Sequence, residues 1–85
     1  MKNFGSKELC KGLLTLGFTL AKNQTSSHHI KYDIPKGHAI DNELRPFMMV
    51  QLGQKSFHPH ACSRYITELK RLGFEKEKIE DCLNK

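Results

Sequence analysis

Between His28 and Ile34 the chain changes its hydrophobic rhythm, and that change limits what it can fold into more than any other feature. Ile30, Tyr32 and Ile34 alternate with His29, Lys31 and Asp33, the period an extended strand needs when one face is covered and the other meets water. On either side of this segment the rhythm is helical. Leu9, Leu13 and Leu16 follow an i, i+4, i+7 pattern, with Leu14 widening the stripe and Cys10 at its margin. Tyr65, Ile66, Leu69 and Leu72 form a second stripe. Each stripe runs into Leu-Gly-Phe, at 16–18 and at 72–74, where the glycine holds the position just past a helix end. The residues around the two copies do not match, so the repeat reads as one helix-stop chemistry used twice rather than as a duplication.

The remaining punctuation completes the order of elements. Ser6 is placed to cap a helix over 6–16, and Phe18-Thr19-Leu20-Ala21 predicts a strand over 18–22. Lys22 to Ser27 is a polar turn, and a second strand covers 28–34 until Pro35-Lys36-Gly37 ends it. No clear period runs from there to Arg45, which predicts a long loop. Phe47 to Leu52 predicts a third strand over 46–52. Pro59 opens a helix over 59–72, and Ile79, Cys82 and Leu83 mark a short third helix over 75–83. The expected architecture is α+β: a three-stranded antiparallel sheet with helices packed on one face, in the order α-β-β-β-α plus a short C-terminal helix. With 85 residues, the chain is expected to form a single domain over 1–85 whose one small core leaves no room for a deep cavity. An active site is then shallow, which suits an extended polymer better than an enclosed metabolite.

The charge points the same way. The net charge is +5, and it is uneven: residues 1–36 hold six lysines against Glu8 and Asp33, whereas from Gly37 onward eight basic residues face seven acidic ones. The first region is where a polyanion is expected to settle. Cys10, Cys62 and Cys82 are odd in number and widely spaced, which indicates neither a disulfide framework nor a zinc ribbon and fits a reducing cytoplasm. Met1 to Gly5 lacks the apolar region of a signal peptide, and no apolar run approaches the length of a membrane span. A cytoplasmic protein without a membrane partner is expected.

The most informative local feature is the pair His28-His29 at the start of a strand, after a polar turn and beside lysines. A histidine can take up and return a proton near neutral pH. RNA carries its own nucleophile in the 2′-hydroxyl, so one positioned base can start strand cleavage, with lysines steadying the charge that builds on the phosphate oxygens. Histidines near turns also make ordinary surface hydrogen bonds, and the strand alternation weighs on that choice. His28 shares a face with Ile30, Tyr32 and Ile34, which must cover the core, whereas His29 shares one with Lys31 and Asp33. His29 is the favoured base. His28 stays a second candidate, because the first residue of a strand can twist off its ideal face. Lys22, Ser27 and Lys31 are the expected RNA contacts.

His58-Pro59-His60-Ala61-Cys62 gathers ligand-type side chains, but a zinc site needs further ligands such as His38 or Cys82, and the spacing matches no established pattern. Neither a metal nor another cofactor is expected. Hydrogen bonds from His60 and Ser63 in the first turn of the helix are the plainer expectation. Cys10 and Cys62 read as buried fillers.

Three blocks of residues resemble the small HicA-type toxins, also labelled YcfA-like, of the HicAB toxin–antitoxin systems. Lys7-Glu8-Leu9-Cys10-Lys11 through Leu16-Gly17-Phe18 is similar to the family's opening helix. Ser26-Ser27-His28-His29-Ile30-Lys31 resembles its Gly-Ser-His signature, and Leu69-Lys70-Arg71-Leu72-Gly73 its closing helix. Ser26 stands where the family usually has glycine, and the stretch from Asp33 to Phe47 is longer than the family's hairpin. Members differ in the spacing before the histidine, so the match permits His28 or His29. The resemblance implies a double-stranded-RNA-binding-domain-like fold, metal-independent endoribonuclease action on mRNA by a catalytic histidine, and silencing by a HicB-like antitoxin bound across the active face. The alternative is a noncatalytic RNA-binding module that uses the same basic sheet face.

Overall fold

The computed structural model describes residues 3–22, 24, 27–40 and 44–83. Its elements run α1 (Ser6–Thr15), β1 (Thr19–Leu20), β2 (His29–Asp33), β3 (Phe47–Gln51), α2 (Pro59–Arg71) and α3 (Lys76–Leu83). The three strands form one antiparallel sheet in the order β1-β2-β3. This is the expected α+β order, with one shortened element. β1 keeps only Thr19 and Leu20, because Phe18 turns into the core and Ala21 contributes a last ladder bond, N–H to Lys31 O at 3.0 Å. The side chain of Gln24 then takes the place of a strand residue: its amide donates to Lys31 O and accepts from Lys31 N, both near 3 Å.

Alternation along β2 and β3 divides the sheet as the sequence requires. Tyr32, Met48 and Val50 are buried against the helices, where they meet Leu9, Leu13, Tyr65, Leu69 and Ile79. Leu9, Leu13, Val50 and Ile79 have no exposed surface, and each such side chain contributes about 1.5–3 kcal/mol by leaving water. Tyr32 carries its hydroxyl into this layer. Burial foremost, then a hydrogen bond and charge interaction with Cys10, push its phenol up to about 12.

Both Leu-Gly-Phe segments end their helices by the same hydrogen bonds. Phe18 N donates to Leu13 O at 3.0 Å and Gly17 N to Leu14 O at 3.1 Å; Phe74 N and Gly73 N repeat this on Leu69 O and Lys70 O. The pattern needs a left-handed residue, and Gly17 and Gly73 supply it at φ 100° and 97°. The two phenylalanines released by these turns then meet, with ring centres 5.3 Å apart. His38 stacks on Phe74 at 4.5 Å, and its Nε2 lies 2.5 Å from Leu72 O at the end of α2. The loop after β2 is thereby pinned to a helix end through His38.

One expectation at the N-terminus is corrected. Ser6 does not cap α1: the cap is Gly5, with no side-chain bond, and Ser6 is the first helical residue. Its hydroxyl instead donates to Gln51 O at 2.7 Å and accepts from Gln54 N at 3.0 Å, while its own N–H donates to Gln54 O. A serine that reads locally as a cap therefore serves as a tie between α1 and the end of β3.

Candidate functional site

The β2–β3 ladder determines what faces outward. Leu52 N donates to His28 O and Ile34 N to Pro46 O, so positions 46, 48, 50 and 52 of the third-strand segment bond toward β2. By antiparallel alternation Phe47, Met49 and Gln51 turn their N–H and C=O away, to the sheet's outer edge. At Gln51 that edge is occupied: its N–H donates to Tyr65 Oη at 3.2 Å and its C=O accepts from Ser6 Oγ. Met49 and Phe47 carry the edge onward. Their side chains lie on the face away from the helices, opposite Lys31 and Asp33, with His29 opposite Gln51. On that face Lys31 Nζ sits 4.3 Å from the Phe47 ring centre.

A groove of about 470 Å³ opens where this edge meets α2. Phe47, Met48 and Met49 line it from β3, Arg64, Glu68 and Arg71 from α2, and His29 and Arg45 open onto it as well. Arg64, Glu68 and Arg71 share a helical face because they are spaced by four and three residues. Among the described residues the ion pair present is Lys76–Glu80 on α3, so neither arginine is bound to the carboxylate between them. Arg64 instead rests its guanidinium 5.3 Å from the Tyr65 ring centre. The groove is thus lined by an exposed histidine, three arginines and an apolar strand edge, with Glu68 as its acidic member.

The residues expected from the sequence are only partly brought together. His29 is exposed at the start of β2 and opens onto the groove. Lys31 shares its face, but its ammonium lies over Phe47. Lys22 and Ser27 are exposed in the β1–β2 connection, at the His29 end of the hairpin, and do not line the groove. Ser26 lies outside the described residues, as do Asn23 and Thr25 of the same turn. His28 corrects the expectation of a core-facing side chain. It is exposed, as are His29 beside it and Leu52, whose N–H bonds to His28 O across the ladder.

The His58-to-Cys62 cluster has a structural role instead. His58 caps α2, its Nδ1 accepting from His60 N at 3.3 Å, and the two imidazoles stack at 5.2 Å. Cys62 is buried, with its sulfur 3.6 Å from Phe57 O and 3.8 Å from Phe4 O. No group of three or more metal-type side chains converges among the described residues.

Arg45, Arg64 and Arg71 are the residues that sequence reasoning missed. Averaged charge hid them, since basic and acidic residues nearly balance after Gly37. The available signal was the seven-residue spacing of Arg64 and Arg71, which places both on one helix face, about 100° round from the stripe of Tyr65, Leu69 and Leu72. No helix among the described residues is long and apolar enough to cross a membrane. Compared with protein-family models, with characterised proteins and with solved structures, the chain shows no match.

Proposed function

We propose that this chain is the toxin of a toxin–antitoxin pair and acts as a metal-independent endoribonuclease on mRNA, with His29 as the general acid/base. The observation that carries this reading is the meeting of an exposed histidine with three arginines in one shallow groove. In the proposed step the imidazole removes the 2′-hydroxyl proton, the 2′-oxygen attacks phosphorus, and the P–O5′ bond breaks as the imidazolium returns that proton, through water, to the 5′-oxygen. The products are a 2′,3′-cyclic phosphate and a 5′-hydroxyl. Arginine suits the charge that grows on the phosphate oxygens, because its planar fork donates two hydrogen bonds at once.

The HicA resemblance supports the same reading, through Ser26-Ser27-His28-His29-Ile30-Lys31, the opening helix that ends in Leu16-Gly17-Phe18 and the closing Leu69-Lys70-Arg71-Leu72-Gly73. It extends the proposal to a double-stranded-RNA-binding-domain-like fold and to a HicB-like antitoxin that covers the groove. Incubating the purified protein with RNA in EDTA tests the reading: fragments with cyclic phosphate ends are expected. Bound but intact RNA identifies a noncatalytic RNA-binding module instead.

A further inference from the structure

The proposed chemistry leaves open which form of RNA the protein holds and along which path. We infer that a single RNA strand, not a duplex, runs along the groove between β3 and α2, its phosphates on Arg64 and Arg71 and its bases toward Phe47 and Met49. This rests on RNA being the ligand of the groove, though not on its being cut.

The first argument is the disposition of charge. Among the described residues the open sheet face sets a single lysine, Lys31, beside Asp33, whereas three arginines line the groove against one carboxylate, Glu68. Arg64 and Arg71 project into the groove from α2, and neither forms an ion pair with Glu68. Their seven-residue separation spans about 10 Å along the helix, so one extended backbone can touch both guanidinium groups in turn.

The second argument is the strand edge. Phe47 and Met49 turn their N–H and C=O to the side where the groove lies, and Tyr65 and Ser6 close the edge at Gln51. Backbone donors and acceptors beside apolar side chains suit the hydrogen-bonding edges and faces of unpaired bases. In a duplex those edges are used in pairing, and the A-form major groove is too narrow to admit protein groups. His29 opens onto the same groove, so a strand on this path brings its ribose hydroxyls past the imidazole.

The test measures binding of a labelled, unstructured single-stranded RNA and of the same RNA annealed to its complement, across a salt series in EDTA. A His29→Ala background keeps the RNA intact. Arg64→Ala/Arg71→Ala is expected to weaken single-strand binding about tenfold or more and to reduce the slope of log K against log salt by about 1.4, the loss of two contacts at ~0.7 each. Lys22→Ala/Lys31→Ala is expected to change both less. Glu68→Ala provides the opposite sign: removing the carboxylate between the arginines should tighten binding, a gain that misfolding does not produce. Thermal melts accompany each variant, and the charge-removing Arg64→Gln/Arg71→Gln replaces the alanine pair if that pair fails to fold.

Unchanged affinity and salt slope in the arginine variants overturn the inference, as does tighter binding of duplex than of single strand. A chain that ignores RNA and retains poly-L-glutamate through Arg64 and Arg71 overturns it in favour of a protein partner. The nuclease reading fails separately. Arginine-dependent binding without cleavage by the parent leaves the path standing and removes the chemistry, whereas cleavage that is indifferent to both arginines does the reverse.

Discussion

Tyr65 Oη accepts the backbone N–H of Gln51 at 3.2 Å, so a side chain of α2 occupies a strand-pairing position at one end of the β3 edge. Tyr65 also packs its ring against Phe4 and Phe57, and the same bond therefore holds α2 alongside the sheet and sets the width of the groove. Tyr65→Phe keeps the packing and removes the acceptor. Leaving a half-buried N–H unsatisfied should cost about 1–3 kcal/mol, read as a lower urea midpoint at unchanged slope. A midpoint equal to that of the parent would mean that packing alone positions α2.

The His38 pin makes a second prediction. Its imidazole bonds Leu72 O and stacks on Phe74, tying the loop after β2 to the end of α2. His38→Ala should destabilise the fold by about 1–2 kcal/mol through the lost hydrogen bond and ring contact, and hydrogen exchange should rise at Leu72 to Phe74. Exchange that rises elsewhere instead would show that His38 does not cap this helix.

Tyr32 gives the domain a pH dependence with a defined sign. Its phenol is pushed up to about 12 in the fold, against about 10 in an unfolded chain. The folded state therefore favours the protonated form: this contribution to stability is complete below about pH 10 and is lost as pH rises through about 12. Absorbance titration of phenolate should show a late phase from Tyr32, and Tyr32→Phe should remove it. The absence of any late phenolate phase would contradict the Tyr32–Cys10 contact.

Much of this architecture was legible because its signals are local. The alternation of Ile30 and Tyr32 with His29 and Lys31 placed the correct faces, and the Leu-Gly-Phe segments marked both helix ends to within a residue. What the sequence misrepresented depends on distant partners. Ser6 has the chemistry of a cap, yet its hydroxyl bonds to Gln51 and Gln54, which only the folded chain brings near. His28 obeys the alternation but lies beyond the edge of the core, and strand period carries no information about where a core ends. The groove is the largest omission. It pairs α2 with β3, and its arginines come from a region of balanced charge, so neither a charge average nor a contiguous motif reveals them.

An acidic partner should compete with RNA for the same surface. If a HicB-like antitoxin covers the groove, co-expression with it should give a stable complex that no longer binds RNA, and the association rate should fall as salt rises. A complex that still binds RNA with full affinity would place the partner elsewhere.

The most direct measurement of the central claim is the EDTA-resistant cleavage rate of His29→Ala beside the parent, with RNA affinity and melting measured on the same samples. His29 is exposed, so its removal should change stability by less than ~0.5 kcal/mol and leave binding intact. Losing the general base should lower the cleavage rate about 10²- to 10⁴-fold. A His29→Ala protein that cuts RNA as fast as the parent, or a parent that binds RNA and never cuts it, would contradict the assignment of this groove as a ribonuclease site.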